Sequence, residues 1–410
     1  MAPRLTFRIR AGYLSPVRLL RPAIVLALAS CAAELAFAAG TVDGAWFVRH
    51  VAVPALYLPF ESWVPSATRL GLALAAVLVA GLAALCAWSK AGAGDLARIA
   101  LAVLLALGAA ELLLRRGESG MPFWRARKLE LRMGHTDPRT GYGLTPSTSV
   151  RIGVPGATPV RYEIDGWGDR AARPDSVPDP GRPSLVVAGE SIAVGHGLPF
   201  EQTFAAVLAG RLGLQLVNVG VGGYATDQAF LRLEEALGKL RQPKVVVMVF
   251  LPLQLRRNVQ DYRPRMALQG GVLAEVPARG GFFAGLRLRD LVVNELPFLG
   301  EARLLESLAV TAAVLRESAR RARERGARVL FLVPLIGKER PFDTHPEAQV
   351  LRPLFVEQGL PFVLVDIEPR ELVPYDGHPD AAASLRIVER LDRALQDDLP
   401  PPVAGDGKSR

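Results

Sequence analysis

Three side chains in this sequence are of the types that carry out acyl transfer together. Ser191 follows an apolar segment and precedes a loop that contains Gly195 and Gly197. Asp376 and His378 lie two residues apart, just before a helical segment. A serine hydroxyl becomes a nucleophile when a histidine takes its proton and a carboxylate orients that histidine. The three side chains therefore predict a serine nucleophile with its base and its acid.

The chain contains five histidines, and two of them compete for the role of base. His378 follows the last predicted strand, whereas His345, in a similar Asp-x-His-Pro segment, follows the fourth. We expect His378 to be the base and keep His345 as the alternative. His196 lies close to Ser191 in sequence and is expected to line the pocket. His50 and His135 lie outside the region of these motifs.

These motifs are carried by a regular alternation of apolar strands and helices. Strands that are apolar along almost their whole length, with helices between them, indicate a parallel sheet covered on both faces. Such a sheet binds its ligand at the C-terminal ends of the strands, where Ser191 and a glycine-rich loop at 220–223 are expected. The predicted strands are Ser184–Ala188, 215–219, 244–251, 328–334 and Phe362–Ile367, and the predicted helices are 201–212, 226–240, 301–325 and 380–395, with another between the last two strands.

The first 116 residues hold most of the apolar excess of the chain. Half of the residues are hydrophobic, and the mean hydropathy is +0.23. A helix that spans a membrane needs about 20 apolar residues, and segments 22–40, 70–88 and 96–114 approach that length. The segment at 46–63 is apolar but interrupted by prolines and charges, so we interpret it as interfacial. The sequence therefore predicts a membrane region of about three helices.

The orientation of these helices follows from their flanking basic residues. The N-terminal tail carries five arginines, and the loop after the second segment carries Lys90 and Arg98. Basic loops face the cytoplasm, so three spans place the rest of the chain outside it. A fourth span at 46–63, which Arg115 and Arg116 would suit, places it inside. Cys31 also fits a lipoprotein cleavage site, but the apolar segment continues beyond it.

The remaining composition excludes several classes of function. The two cysteines, Cys31 and Cys86, both lie in apolar segments, so the soluble part has neither a disulfide nor a thiolate metal site. The net charge of +9 comes from scattered arginines rather than from basic tracts interleaved with aromatics, so we expect no nucleic-acid partner. Residues 117–183 are interpreted as a connector with short strands, such as 161–164, and residues 398–410 as a disordered tail.

The order of these motifs resembles the SGNH (GDSL-type) hydrolases over residues 184–397. Gly189-Glu190-Ser191 is similar to the first block of that family, whose serine is the nucleophile. The resemblance makes Gly223 the glycine whose N–H lines the oxyanion hole together with that of Ser191. It makes Asp376 and His378 the acid and the base. It also implies a flavodoxin-like α/β fold, no metal or cofactor, an ester substrate, and a bacterial inner-membrane location like that of membrane-tethered members.

Two positions depart from that family. Glu190 stands where the first block has aspartate, and Leu253 stands where the third block has an asparagine that donates to the oxyanion. Losing one such donor lowers the rate by about 10²- to 10³-fold. Gln254 or Asn258 is a candidate substitute, because the two lie four residues apart and would share one face of a helix.

The sequence is compatible with three functions. The first is a membrane-anchored ester hydrolase that forms an acyl-enzyme on an O-acyl ester of an envelope glycan or lipid. The second is an O-acyltransferase on envelope polysaccharide that uses the same residues, because water and a sugar hydroxyl compete for one intermediate. The third is a degenerate binding or assembly protein, which Leu253 and Glu190 favour and the intact Ser191 and His378 oppose.

Overall fold

The computed structural model describes residues 16–42, 64–88, 93–117, 133–153, 159–280, 286–290, 301–374 and 376–396. They form two compact units, an N-terminal set of helices and a C-terminal α/β domain. The predicted interfacial segment at 46–63 and the predicted tail at 398–410 lie outside the described residues.

The N-terminal unit contains three helices, α1 (Pro16–Thr41), α2 (Val64–Trp88) and α3 (Ala93–Gly117). The first two pack against each other, and each contains a segment long and apolar enough to cross a membrane, Pro22–Thr41 and Ser66–Trp88. Their outer leucines, for example Leu78, are exposed. Two of the three predicted spans are thus supported as candidates.

Helix α3 coincides with the third predicted span. At about 1.5 Å per residue its 25 residues extend over some 37 Å. Leu104, Leu105 and Leu112 are each about two-thirds exposed, which is unusual for leucines of a helix that packs against a protein core. That α3 crosses a membrane stays a prediction.

Five parallel strands form the centre of the C-terminal domain. They are β6 (Ser184–Ala188), β7 (Gln215–Asn218), β8 (Pro243–Val249), β11 (Arg328–Ile336) and β12 (Phe362–Ile367). Their spatial order is β7-β6-β8-β11-β12, and every neighbouring pair is parallel. This order reverses at β6, as in flavodoxin-like sheets, so the loops after β6 and β7 meet over a crevice. The predicted fold class is confirmed.

Helices cover both faces of this sheet. On one face, α6 (Thr226–Lys239) and α9 (Glu301–Glu324) bury a large apolar cluster that includes Phe250 and Phe355. On the other face, α5 (Phe204–Leu212) and α11 (Ala381–Gln396) enclose a second cluster around Val187. Because both faces are buried, strands β6 and β8 carry apolar residues on both sides, which explains their continuous apolar sequence.

Three antiparallel strands extend the sheet beyond β7. They are β3 (Thr148–Ile152), β4 (Val160–Ile164) and β5 (Arg170–Ala171), and β5 meets β7 at a single pair, Arg170 with Asn218. A further hairpin, β1 (Gly134–Asp137) with β2 (Gly141–Leu144), precedes them. The sequence places these residues in a connector, and the structure places three of the strands in the same sheet as the five parallel ones.

The region between β8 and α9 contains a hairpin where the sequence predicts irregular chain. Strands β9 (Arg265–Gln269) and β10 (Val272–Val276) pair through a two-residue turn. Gly270 and Gly271 both have positive φ, +58° and +84°, as a type I′ turn requires. The remaining short helices are α4 (Ser191–Val194), α7 (Gln254–Asn258), α8 (Arg287–Asp290) and α10 (Ala348–Leu351).

A buried ion pair attaches this hairpin to helix α6. The Arg263 guanidinium contacts both carboxylate oxygens of Asp227, at 2.9 and 3.1 Å, and both side chains are almost fully buried. Asp227 also accepts a hydrogen bond from the Met266 N–H at 3.0 Å. The carboxylate therefore has several donors, as a charge removed from water requires.

Candidate active site

The nucleophile candidate Ser191 lies where strand β6 turns into helix α4. The turn requires glycine at position 189, because its φ is +149° and an added Cβ would lie 2.8 Å from Val249 Cβ and 3.0 Å from Ala193 Cβ. Glu190 then caps α4, accepting a hydrogen bond from the Ile192 N–H at 3.0 Å. The serine hydroxyl is thus held at the C-terminal edge of the sheet, as predicted.

His378 lies directly beside this serine. Its Nε2 is 2.7 Å from Ser191 Oγ, although the two residues are 187 positions apart in the chain. A tight turn presents the ring: the Val373 N–H donates to the His378 carbonyl at 2.8 Å, and Gly377 has a φ of +80°. A base must approach its proton donor to hydrogen-bonding distance, and this one does.

Asp376 completes the arrangement on the far side of the imidazole. Its Oδ2 is 3.2 Å from His378 Nδ1, but the contact is poorly aligned for a hydrogen bond. Burial alone would raise the pKa of Asp376, whereas the adjacent imidazoles of His378 and His196 outweigh it and lower that pKa below its ordinary value. The acid is therefore ionised at neutral pH, as a group that stabilises an imidazolium must be.

His196 forms a second contact to the same carboxylate oxygen. Its Nε2 lies 3.6 Å from Asp376 Oδ2, and its ring is 4.5 Å from that of His378, centre to centre. Burial, and then the neighbouring His378, lower the pKa of His196 to about 4. His196 is therefore uncharged at neutral pH, and it packs beside Asp376 as a neutral imidazole.

The lowered pKa of His196 predicts a loss of stability in acid. An ordinary histidine titrates near 6.5, so between pH 6.5 and about 4 the unfolded chain binds a proton that the folded chain excludes. Stability contributed by neutral His196 is complete above that window and is lost as the pH falls, by up to about 3 kcal/mol. We expect His196→Gln to flatten the dependence of the unfolding midpoint on pH between 6.5 and 4. His135→Gln, at an exposed position, should leave the dependence unchanged, and equal slopes for H196Q and the unaltered protein would contradict the prediction.

The oxyanion hole predicted from Ser191 and Gly223 is compatible with the loops. The Val221 N–H donates to the Gly189 carbonyl at 3.2 Å, which holds the two loops side by side. Gly223 has a φ of +75°. In the described part of the chain, the N–H groups of Ser191 and Gly223 donate to no protein acceptor. Both are therefore available to a ligand, and their role stays a prediction.

The predicted substitutes for the missing asparagine have other partners. Leu253 packs into the apolar cluster around Val187. The Gln254 side chain accepts from the Leu251 N–H at 3.1 Å and donates to the Tyr224 carbonyl at 3.4 Å. Asn258 donates to Thr311 Oγ1 at 2.6 Å. Because both amides are fully buried in these contacts, neither Gln254 nor Asn258 replaces the missing donor in this structure, and this expectation is corrected.

The alternative base His345 lies elsewhere. Its Nε2 is 3.0 Å from the Arg340 carbonyl and 3.5 Å from Asp366 Oδ2, and its side chain is buried. Asp366 is part of β12, so this pair holds the loop after β11 against β12. His378, and not His345, is the histidine in contact with Ser191.

Glu190 makes a contact that its position as a capping residue does not require. Besides accepting from the Ile192 N–H, its carboxylate accepts a hydrogen bond from the Ser191 hydroxyl through Oε2. Glu190 is predicted from the sequence as a possible accessory residue, on its departure from the family's aspartate, and the sequence does not predict this contact. The one feature of the sequence that could indicate the contact is the additional methylene group of glutamate relative to aspartate.

The loop between α4 and α5 is held by the antiparallel strands. The Tyr162 hydroxyl of β4 accepts from the Gly197 N–H at 2.7 Å. The buried Arg170 of β5 donates to the Leu198 carbonyl at 3.0 Å and lies 3.9 Å above the Tyr162 ring. Residues outside the recognised motifs thus support the loop that carries His196.

Gly197 lies between these supporting residues and Asp376, the predicted acid. Its φ is +79°, and an added Cβ would lie 3.1 Å from Val373 Cγ2 and 3.3 Å from Asp376 Oδ2. Alanine at this position should displace Asp376 and lower kcat about tenfold, because small displacements of catalytic groups are costly. Gly213→Ala is the matched control, since Gly213 has a φ of +65° and open space around it. Both variants should lose about 1–2 kcal/mol of stability from backbone strain, and equal activity in the two would contradict the prediction.

Comparison with known proteins gives a likeness of fold only. No protein-family model matches the sequence, and no curated protein sequence matches it significantly. The C-terminal part resembles solved structures of esterases. One is a member of the lipolytic protein G-D-S-L family from Veillonella parvula, with 10% identity, a TM-score of 0.30, and coverage of 52% of this chain and 97% of that one.

Two further esterase structures resemble this chain with similar sequence identities and TM-scores. AlinE4, an SGNH-hydrolase family esterase, has 16% identity and a TM-score of 0.28, with 55% of this chain and all of that chain covered. The acetyl xylan esterase Est2A from Butyrivibrio proteoclasticus has 13% identity and a TM-score of 0.33, with 55% and 65% covered. These likenesses concern the arrangement of the chain and not its activity.

Proposed function

We propose that this protein is a serine-type ester hydrolase that works through an acyl-enzyme. The observation that carries the proposal is the 2.7 Å contact between Ser191 Oγ and His378 Nε2, with the ionised Asp376 behind the imidazole. The motif resemblance of the three segments agrees with this geometry. A nucleophile, a base within reach and a third group that orients the base are the usual requirements for such catalysis.

The proposed reaction proceeds in two balanced halves. Ser191 Oγ attacks the carbonyl carbon of the ester while His378 Nε2 takes the hydroxyl proton. The negative oxygen is held by the N–H groups of Ser191 and Gly223. The C–O bond then breaks, and the leaving alcohol takes the proton from His378. Water attacks the acyl-enzyme in the same manner, which releases the acid and restores Ser191.

The residue at the family's donor position gives no hydrogen bond to the oxyanion of this mechanism. Leu253 is buried and apolar at the position where a side-chain donor would lie, and the two nearby amides are committed elsewhere. Losing such a donor lowers kcat by about 10²- to 10³-fold. We therefore expect a slow enzyme, or one whose substrate supplies compensating contacts.

We infer further that the apolar helices anchor the domain in a bacterial inner membrane. The exposed leucines of α1, α2 and α3 and the basic tail before α1 support this inference. If α3 crosses the membrane as a third span, the domain faces away from the cytoplasm, where O-acyl esters of envelope glycans and lipids are accessible. Protease accessibility of the domain in intact and permeabilised cells tests this side.

The first experiment is labelling of the detergent-solubilised full-length protein with a fluorophosphonate, beside Ser191→Ala. We expect labelling that is lost in the variant, together with hydrolysis of small aryl esters. A carbohydrate acceptor added to the reaction distinguishes transfer from hydrolysis, because acyl transfer would produce an acylated acceptor instead of free acid. Absence of labelling from the unaltered protein and from all the Glu190 variants described below would favour the binding or assembly function.

A further inference from the structure

Glu190 is a buried carboxylate with an unusual set of partners. It is only 3% exposed. Its two hydrogen bonds come from the Ile192 N–H and the Ser191 hydroxyl. Within the described residues, no lysine or arginine forms an ion pair with it. A charge withdrawn from water without a basic partner depends strongly on the few donors it has.

The Ser191 hydroxyl has one proton and two acceptors. Glu190 Oε2 lies on one side of Ser191 Oγ and His378 Nε2 on the other, both within hydrogen-bonding distance. If the proton points to Glu190, His378 Nε2 must itself carry a proton to bond to Oγ, and it cannot then act as base. If the proton points to His378, the contact between Glu190 and Oγ needs a proton on the carboxyl group. The two acceptors therefore compete.

We propose that Glu190 is a positioning residue that holds the Ser191 hydroxyl proton away from His378 in the resting site. The inference rests on the proposed function and concerns its regulation. Substrate that enters the crevice displaces the hydroxyl from Glu190, and the imidazole of His378 changes tautomer, so that its own proton lies on Nδ1 facing Asp376. The free Nε2 then takes the hydroxyl proton as Oγ attacks. No proton is gained or lost by Glu190 in this step. The nucleophile is thus restrained until substrate arrives.

The backbone of the turn makes this contact a consequence of side-chain length. Gly189 permits no larger residue, and Glu190 is the N-cap residue of α4, bonded to the Ile192 N–H at 3.0 Å. Aspartate is a good helix-capping residue and can still accept from the Ile192 N–H. It is one methylene shorter, and the same backbone places its oxygens farther from Ser191 Oγ. The cap and the contact to the serine can therefore be separated by substitution.

Glu190→Asp and Glu190→Gln test the proposal in the full-length protein. Aspartate moves the carboxylate oxygen away from the Ser191 hydroxyl, and glutamine replaces the carboxylate with a neutral amide, which is a weaker hydrogen-bond acceptor. Since a hydrogen bond to a charged group is among the stronger ones, we expect both variants to react with fluorophosphonate about 10-fold faster than the unaltered protein. Glu347→Asp is the matched control for the change in length, because Glu347 lies beside His345 and not beside Ser191.

A capping role alone predicts a different result. It would leave the rate at which E190D reacts with fluorophosphonate unchanged, and it would lower that rate in a variant that has lost the cap. A faster reaction is therefore the outcome that distinguishes the two roles. Reaction rates for both variants equal to or below that of the unaltered protein would overturn the proposal. A marked loss in E190Q alone would overturn it in favour of Glu190 as the base.

The same series separates this proposal from the proposed function. If the unaltered protein reacts, Ser191→Ala does not, and the Glu190 variants are no faster, only the restraint is excluded. If only the Glu190 variants react, the restraint is supported in its strongest form. If none reacts, both proposals fail.

Discussion

Replacing His378 with glutamine is expected to lower kcat/KM for a small aryl ester by about 10⁴-fold or more. His378 Nε2 lies 2.7 Å from Ser191 Oγ and is the proposed base. The members of a catalytic triad act as a unit, so removing one removes most of their joint effect. The side chain is only partly buried, and the variant should remain folded. Steady-state hydrolysis with a parallel unfolding midpoint measures both.

The pattern of the double variant makes this prediction specific. Ser191→Ala combined with H378Q should be no slower than either single variant, because neither residue works without the other. His345→Gln should keep its activity, since His345 is bonded to the Arg340 carbonyl and lies beside Asp366. A larger loss in H345Q than in H378Q would reverse the assignment of the base.

The largest effect on stability is expected from Arg263→Met. The substitution leaves Asp227 fully buried without its cation, and breaking such a pair from one side costs about 3–5 kcal/mol. The consequence extends to the β9–β10 hairpin, because Asp227 also accepts from the Met266 N–H at its first strand. Denaturant unfolding of the solubilised protein measures the change.

Two comparisons make the cause identifiable. The double variant Asp227→Asn with Arg263→Met should be more stable than R263M by about 2 kcal/mol, because it leaves no isolated charge. Arg320→Met removes an arginine whose side chain is about half exposed from its contacts with Glu317 and Glu324, and it should leave the free energy of unfolding unchanged. If the double variant is no more stable than R263M, the lost volume of the arginine side chain, and not the unpaired charge of Asp227, causes the destabilisation.

The parallel sheet and the proximity of Ser191 and His378 are predictable from local sequence. Strands such as Ser184–Ala188 are buried on both faces and therefore apolar along their whole length. The parallel arrangement then brings Ser191 and the turn at Asp376 and His378 to one edge, because both follow the C-terminal ends of strands. These features depend on neighbours in sequence and on the general geometry of such sheets.

Other features of the fold and the site depend on residues that are distant in sequence, so their signals in the sequence are weaker. The segment from Arg161 to Ile164 is predicted as a short strand, but its place between β3 and β5 depends on pairings that periodicity does not specify. The glycine pair at Gly270 and Gly271 is a typical signal for a hairpin turn, although the predicted elements include no strand on either side of it. The contact between Glu190 and Ser191 depends on a distance of one methylene, which only coordinates resolve.

The support that Tyr162 and Arg170 give to the loop between α4 and α5 has a consequence for the modularity of the chain. These residues precede the five-stranded core in sequence, yet they hold the backbone at Gly197 and Leu198, beside the proposed acid Asp376. A gene fusion or natural recombination event that cuts at residue 184 would transfer all the recognisable motifs and leave this support behind. Inheritance of the activity would therefore follow a longer segment, beginning near residue 133, than the motifs alone mark out.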